Sequence, residues 1–82
     1  MAMKPRTEVV RFSEAMEERL RENDHKRHWS NYTPQQMFER LKDELEELTW
    51  AFTNENKMLE CVDVANFAMM IWGLLTTEEQ DD

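Results

Sequence analysis

The amino-acid sequence predicts an all-α protein, and three observations support this fold class. The 82 residues include one glycine and two prolines, a composition that favours helices over sheets. Apolar residues recur at intervals of three and four along the first two thirds of the chain, which is the period of an amphipathic helix. The segment Thr33-Pro34-Gln35-Gln36 is typical of a helix start.

A first amphipathic helix is predicted from Glu8 to about Glu22. Its apolar face is formed by Val9, Phe12, Ser13, Met16 and Leu20. A polar connection follows over residues 23–32, and connections this long within a small domain are often functional.

A second helix is predicted to begin after Thr33, with Pro34 at the first helical position and Gln36 completing a capping box. It runs to about Thr53, and residues 54–56 are predicted to form a turn. The apolar stripe of this helix consists of Met37, Leu41, Leu45, Leu48 and Phe52.

The third predicted helix, from about Lys57 to Leu75, is apolar on almost every side. Its apolar run of residues 61–75 is shorter than the roughly 20 residues that span a bilayer, so we expect burial between subunits and no membrane partner. Residues 77–82 are predicted to be an acidic tail beyond an ordered core of about 6–76, within a single domain of residues 1–82. The expected architecture is an antiparallel helical hairpin plus an N-terminal helix, which completes a four-helix-type bundle as a homodimer or homotetramer.

Chain length and net charge restrict the classes of function that this protein can have. A chain this short buries little surface alone, and one cysteine, Cys61, cannot form an internal disulfide, so we expect oligomerisation and a reducing, cytoplasmic location. The net charge of −8 is concentrated after residue 33, where three Lys/Arg face twelve Asp/Glu. An acidic surface repels duplex nucleic acid and attracts cations.

Four carboxylates are predicted to face inward. On a helical wheel with about 100° per residue, Glu44 lies within the apolar stripe of the second helix and Glu47 at its edge. Glu60 and Asp63 share one face of the third helix. In an antiparallel hairpin, Glu47 comes level with Glu60, and Glu44 with Asp63.

Several like charges buried together are destabilising unless a proton, a cationic side chain or a metal ion compensates them. Oxygen ligands alone suit Mg²⁺, or Mn²⁺ as a substitute. The four carboxylates therefore predict a metal site, while an ordinary solvated acidic face remains the alternative for each of them taken singly.

The chain resembles the MazG-like nucleotide pyrophosphohydrolases, small phage and prokaryotic type. The resemblance is carried by residues 43–47 (DELEE), a gap of twelve residues, residues 60–63 (ECVD) and their continuation 64–71 (VANFAMMI). Residues 16–26 (MEERLRENDHK), followed by Trp29, are similar to the amino-terminal part of these proteins. Asp43 stands where the family usually has Glu.

The resemblance implies a Mg²⁺-dependent enzyme that hydrolyses a nucleoside triphosphate, ribo or deoxy, to the monophosphate and pyrophosphate. It implies Glu44, Glu47, Glu60 and Asp63 as the metal ligands. We assign Glu47 as the general base, a hypothesis of our own.

Three residues outside the carboxylate set are candidate substrate contacts. Lys26 lies in the only dense basic run and is expected to reach a phosphate. Trp29 is suited to stack on a base, and a purely structural role in sealing the bundle is an equal alternative. Asn66, one turn after Asp63, is expected either to contact sugar or phosphate or to be satisfied by a neighbouring helix.

The main rival is a non-catalytic acidic helical protein that binds a partner or mimics DNA. Its acids would point outward, whereas the wheel places Glu44 in the apolar stripe. A di-iron bundle is disfavoured because neither His25 nor His28 belongs to a Glu-x-x-His pair, and zinc because Cys61 is a lone cysteine.

Overall fold

The computed structural model describes residues 3–24 and 29–80, without the side chains of 77–80. Three α-helices form its framework: α1 (Thr7–Glu22), α2 (Pro34–Trp50) and α3 (Asn54–Gln80). A short 3-10 helix, Trp29–Asn31, precedes α2. No strand occurs in the described residues, so the all-α prediction is confirmed. The completion of a four-helix bundle by oligomerisation stays a prediction.

The start of α2 follows the local chemistry of its first residues. The backbone N–H of Gln36 donates to the Thr33 hydroxyl oxygen at 3.1 Å, and the Thr33 N–H donates to the Gln36 side-chain oxygen at 2.8 Å. Pro34 occupies the first turn, where its missing N–H removes no helical hydrogen bond. The predicted capping box is therefore present.

The junction between α2 and α3 lies earlier in the chain than predicted. The second helix ends at Trp50 rather than near Thr53, and α3 begins at Asn54 rather than near Lys57. The reason is that Thr53 caps α3: its hydroxyl accepts from the Asn56 N–H at 3.1 Å, and its carbonyl accepts from the Lys57 N–H at 3.0 Å. Residues 54–56, predicted as a turn, are the first turn of the helix.

The carboxyl end of α3 also differs from the prediction. The helix continues to Gln80 instead of ending at Leu75, so the acidic residues 78 and 79 belong to it. No glycine or proline follows Gly73, and residues 74–80 therefore contain nothing that stops a helix.

Helix α3 is the centre of the fold. Both α1 and α2 pack against it, and among the described residues α1 and α2 do not pack against each other. The 3-10 helix also lies on α3, where the Trp29 indole covers Gly73 so closely that a Cβ atom there would lie 3.0 Å from the ring. This arrangement leaves a cleft between α1 and α2 with α3 as its floor.

The buried core of one chain is small. In the described part of the chain, the buried apolar side chains are Met37, Val62 and Ile71. Large apolar side chains remain in contact with solvent, among them Phe52 at 94% exposure and Trp72 at 68%. A single copy thus leaves much of its apolar surface uncovered, as its length predicts.

Residues Asn54–Thr76 of α3 are long and apolar enough to cross a membrane, with a mean hydropathy of 1.5. This criterion considers length and composition only, and central helices of water-soluble proteins also satisfy it. The segment is longer than the apolar run of residues 61–75 from which we argued against a membrane, because the helix begins earlier. The absence of a membrane partner stays a prediction.

The Thr53 cap can be tested by mutation. Thr53→Ala removes the acceptor for the Asn56 N–H, and we expect it to lower the free energy of unfolding by about 1 kcal/mol, as is typical of a lost N-cap. Chemical denaturation followed by circular dichroism measures this change. The matched control is Thr49→Ala, because the Thr49 hydroxyl donates to the Leu45 carbonyl within α2 and caps nothing. Equal losses in both variants would contradict the cap.

Candidate metal centre

A cavity of about 600 Å³ fills the cleft between α1 and α2. Its size lies within the range of roughly 300 to 1,000 Å³ that small-molecule sites usually have. Carboxylates, arginines and aromatic side chains line it together. Among the described residues, the cationic members are Arg19, Arg21 and Arg40, and the aromatic members are Trp29, Tyr32 and Phe67. The cavity therefore presents both signs of charge and flat apolar surfaces to one space.

Three of the four predicted ligands meet at the wall of this cavity. Glu44 and Glu47 lie one turn apart on α2, and Glu60 lies opposite them on α3. One carboxylate oxygen from each lies within 4.8 Å of the others. Oxygens that share a Mg²⁺ ion are roughly 3 to 4 Å apart, given metal–oxygen distances near 2.1 Å. Small rotations of these side chains therefore suffice to bring all three oxygens onto one ion.

Two oxygens of this cluster are buried without a hydrogen-bond partner. Glu44 Oε2 and Glu60 Oε2 have almost no contact with solvent, and no described donor reaches them. A buried carboxylate oxygen without a donor is destabilising by several kcal/mol unless it is protonated or bound to a cation. The two orphan oxygens thus fit a divalent ion by position and by chemistry.

The pKa of Glu44 also reflects the unfavourable burial of neighbouring carboxylates. Burial first, then the close approach of the Glu60 carboxyl group and the negative charges of Glu47, Asp63 and Glu60, raise the pKa of Glu44 to about 8. Without a cation, the Glu44 carboxyl group therefore keeps its proton at neutral pH. A divalent ion competes for the same oxygens and displaces this proton.

The fourth predicted ligand, Asp63, has a different partner. Its Oδ1 and Oδ2 accept hydrogen bonds from Arg19 Nε at 2.9 Å and Nη2 at 3.2 Å. The pair is partly shielded, since the Asp63 side chain is only 15% exposed. These bonds, more than the 3.0 Å bond of Arg19 to Glu22, raise the pKa of Arg19 above its ordinary value, so the guanidinium stays charged. The role of Asp63 as a metal ligand stays a prediction.

Asn66 is buried beside the cluster at 4% exposure and lines the cavity. Its side-chain N–H donates to the backbone carbonyl of Met16 in α1 at 3.2 Å. Its Oδ1 is buried, and no described group donates to it. The amide N–H thus holds α1 on α3, as one of our two interpretations expects, whereas the buried amide oxygen has no described partner.

The two predicted loop contacts have different outcomes. Trp29 lies at the cavity and packs on Gly73, so the sealing role has structural support, and its ring also forms part of the wall. Lys26 lies outside the described residues, and its predicted phosphate contact stays a prediction.

Two cationic residues were not selected as site residues from the sequence. Arg40 precedes Glu44 by one helical turn, and its guanidinium carbon lies 5.9 Å from the centre of the Phe67 ring, at the cavity. The wheel that selected Glu44 also places Arg40 near the same face, so this signal was present. Arg19 lies at the edge of the α1 stripe next to Met16, but its pairing with Asp63 depends on how α1 packs on α3, which no local pattern predicts.

Comparison with known proteins yields one relative and no family. The chain is 36% identical over 55 residues to an uncharacterized protein of Archaeoglobus fulgidus, an alignment that covers 63% of this chain and 59% of the relative. The chain therefore spans less than two thirds of that relative's length. No family model matches the chain, and no solved structure matches it.

The raised pKa of Glu44 predicts how stability depends on pH. Because this pKa is near 8 in the folded protein and has an ordinary value of 4.5, the folded state retains a proton that the unfolded chain loses between these values. The stability of the metal-free protein should therefore fall as pH rises from about 4.5 to about 8 and then level off. Urea unfolding at successive pH values in EDTA measures this slope.

Two comparisons make the pH test specific. Glu44→Gln should flatten the slope and stabilise the metal-free protein above pH 8, whereas Glu46→Gln, which removes the same charge from an exposed position on α2, should leave the slope unchanged. Excess Mg²⁺ should abolish the loss in the wild type, because the ion binds the deprotonated form. If both variants show the same slope, the pH dependence of stability would instead arise from general repulsion among the acidic residues.

Proposed function

We propose that the protein is a Mg²⁺-dependent nucleoside triphosphate pyrophosphohydrolase that produces the nucleoside monophosphate and pyrophosphate. The observation that carries the proposal is the convergence of Glu44, Glu47 and Glu60 within 4.8 Å at the wall of a cavity large enough for a nucleotide. The sequence resemblance described above supports the same reaction.

The charges of the cavity suit a triphosphate that carries a divalent cation. Glu44 and Glu60, the more buried members of the cluster, would hold Mg²⁺ through their unpartnered oxygens. When bound, Mg²⁺ neutralises charge on the phosphates and lowers the pKa of water. Arg40 lines the same cavity and is suited to bind phosphate oxygens. A site for a bare metal ion would not require this arginine.

The remaining groups of the cavity have distinct tasks in this reaction. Glu47 is the exposed member of the cluster, so we assign it to orient and deprotonate the water that attacks the α-phosphorus as pyrophosphate leaves. We assign the unpartnered Oδ1 of Asn66 as the acceptor for a sugar hydroxyl. Trp29 offers an aromatic surface for the base.

The outer face of α3 supports the proposed homo-oligomer. Residues at alternating spacings of three and four form a stripe without a charge on this face: Met58, Cys61, Ala65, Ala68, Trp72 and Leu75. All except the half-buried Ala65 are exposed, with Met58 and Trp72 both at 68%. This spacing is the one by which helices pair along a common seam. We infer that α3 packs on α3 of a second copy through this stripe.

Pyrophosphate release tests the proposed reaction. The substrates are a panel of ribo- and deoxyribonucleoside triphosphates, assayed with Mg²⁺ and with EDTA. We expect metal-dependent release of monophosphate and pyrophosphate, with turnover lowered about 10²- to 10⁴-fold in Glu47→Gln because the general base is lost. The matched control is Glu46→Gln, which changes the adjacent exposed residue and should keep wild-type turnover. If folded protein releases pyrophosphate from none of the substrates, the acidic interaction protein becomes the better proposal.

Light scattering after gel filtration tests the α3 seam. Trp72→Glu and Ala68→Glu place a charge in the stripe and should convert the oligomer to a smaller species. Gln35→Glu adds the same charge at an exposed position on α2 and should leave the mass unchanged. A monomeric wild type would contradict the seam, and binding of that monomer to neutral phosphatidylcholine vesicles would assign the stripe to a membrane instead.

A further inference from the structure

The ion pair between Arg19 and Asp63 connects the cationic side of the cavity to its carboxylates. Both oxygens of Asp63 face the guanidinium in a two-point contact, at 2.9 and 3.2 Å. Arg19 extends from α1 and Asp63 from α3, so the contact also joins the two helices that enclose the cavity. Such paired hydrogen bonds between charged groups are among the strongest polar contacts in proteins.

Asp63 belongs electrostatically to the carboxylate cluster. It follows Glu60 by one turn on α3, and its charge is one of those that raise the pKa of Glu44. The Asp63 carboxylate lines the same cavity as Glu44 and Glu60, so a divalent ion held by those two residues would share that cavity with it. While Arg19 holds that carboxylate, however, the ion also meets the positive charge of the guanidinium, which weakens its binding.

Arg19 has an alternative partner within reach. Its side chain is 33% exposed and lines the same cavity, so a ligand in the cavity can compete for it. A planar guanidinium binds two phosphate oxygens in the same way that it binds a carboxylate. A polyphosphate in the cavity therefore competes with Asp63 for Arg19.

We propose that the Arg19–Asp63 ion pair is a latch that couples metal binding to polyphosphate binding. The proposal rests on the proposed function and adds a regulatory step to the same site. With the latch closed, Asp63 is paired with Arg19 and does not bind the metal, so a metal ion alone binds weakly. When a polyphosphate takes the guanidinium of Arg19, Asp63 is released and would add a further oxygen ligand to those of Glu44 and Glu60. The metal and the polyphosphate then strengthen each other's binding. The polyphosphate removes Arg19 from Asp63, which frees Asp63 for the metal. The metal in turn occupies Asp63, which frees Arg19 for the polyphosphate.

The first experiment measures binding of Mn²⁺ alone, from the electron paramagnetic resonance signal of the free ion. Arg19→Gln opens the latch, so it should bind Mn²⁺ about tenfold more tightly than the wild type, within the roughly 5- to 150-fold range of coupling between sites. Arg21→Gln is the matched control. It removes the same charge from the same helix and the same cavity, but Arg21 pairs with Glu17 at 3.1 Å and not with the cluster. It should therefore show only a small gain.

A double-mutant cycle identifies Asp63 as the released group. In an Asp63→Asn background, Arg19→Gln should tighten Mn²⁺ binding no more than Arg21→Gln does, because only the general effect of the lost charge remains. Calorimetry with inorganic tripolyphosphate in excess Mg²⁺ measures the other half of the coupling without dependence on a base. Here Arg19→Gln should weaken binding about tenfold, and Arg19→Lys should weaken it less, because it keeps the charge but loses the two-point contact.

The outcomes separate the latch from the proposed function. If the wild type binds Mn²⁺ and hydrolyses a triphosphate, but Arg19→Gln binds Mn²⁺ no more tightly than Arg21→Gln, the latch alone is wrong. The latch is also overturned if the full Arg19→Gln gain survives in the Asp63→Asn background, or if Arg19→Gln leaves tripolyphosphate binding unchanged. If neither the wild type nor Arg19→Gln binds Mn²⁺, both proposals fail. Circular dichroism of each variant, with Arg19→Lys as the milder change, verifies that the helices are retained.

Discussion

The burial of carboxylates between α2 and α3 is the constraint on which the rest of the structure depends. Glu44 and Glu60 occupy positions where apolar side chains would stabilise the hairpin, and each leaves one oxygen without a donor. Repulsion and desolvation both oppose this arrangement, and the protonation of Glu44 relieves them only in part. The hairpin is therefore less stable without a cation than its helix lengths suggest. Functional sites often carry such a local cost to stability.

The fold tolerates this cost because α3 is held along most of its length. Its first turn is capped by Thr53, its middle carries the contacts to α1 and α2, and Gly73 accepts the Trp29 ring. Among the described residues, two polar contacts join α1 to α3: the Arg19–Asp63 pair and the hydrogen bond from Asn66 to Met16. Both contacts lie at the cavity, so the site and the attachment of α1 depend on the same residues.

The sequence predicted elements and faces better than it predicted partners. The capping box at Thr33 follows from local spacing, and the structure contains it. The same spacing brings together carboxylate oxygens of Glu44, Glu47 and Glu60, although Glu47 is exposed and not inward-facing as predicted. The start of α3 was misplaced because Asn54 and its neighbours are common in turns, although they also suit the first turn after a threonine cap. The pairing of Asp63 with Arg19 spans 44 positions and depends on how α1 docks on α3, for which a single sequence carries no signal.

The distribution of apolar surface shows why the site and the assembly are connected. One side of α3 lines the cavity with Glu60, Asp63 and Asn66. The uncharged stripe lies on another side of the same helix. A helix that must supply polar groups to one side and apolar groups to the rest has no single amphipathic face, which explains why its sequence lacks a helical period in hydrophobicity. Since only Met37, Val62 and Ile71 are buried apolar side chains in the described chain, little packing opposes the repulsion within the cluster. Covering the stripe would stabilise α3 without touching the cavity, and the carboxylates could then remain close together before a cation arrives.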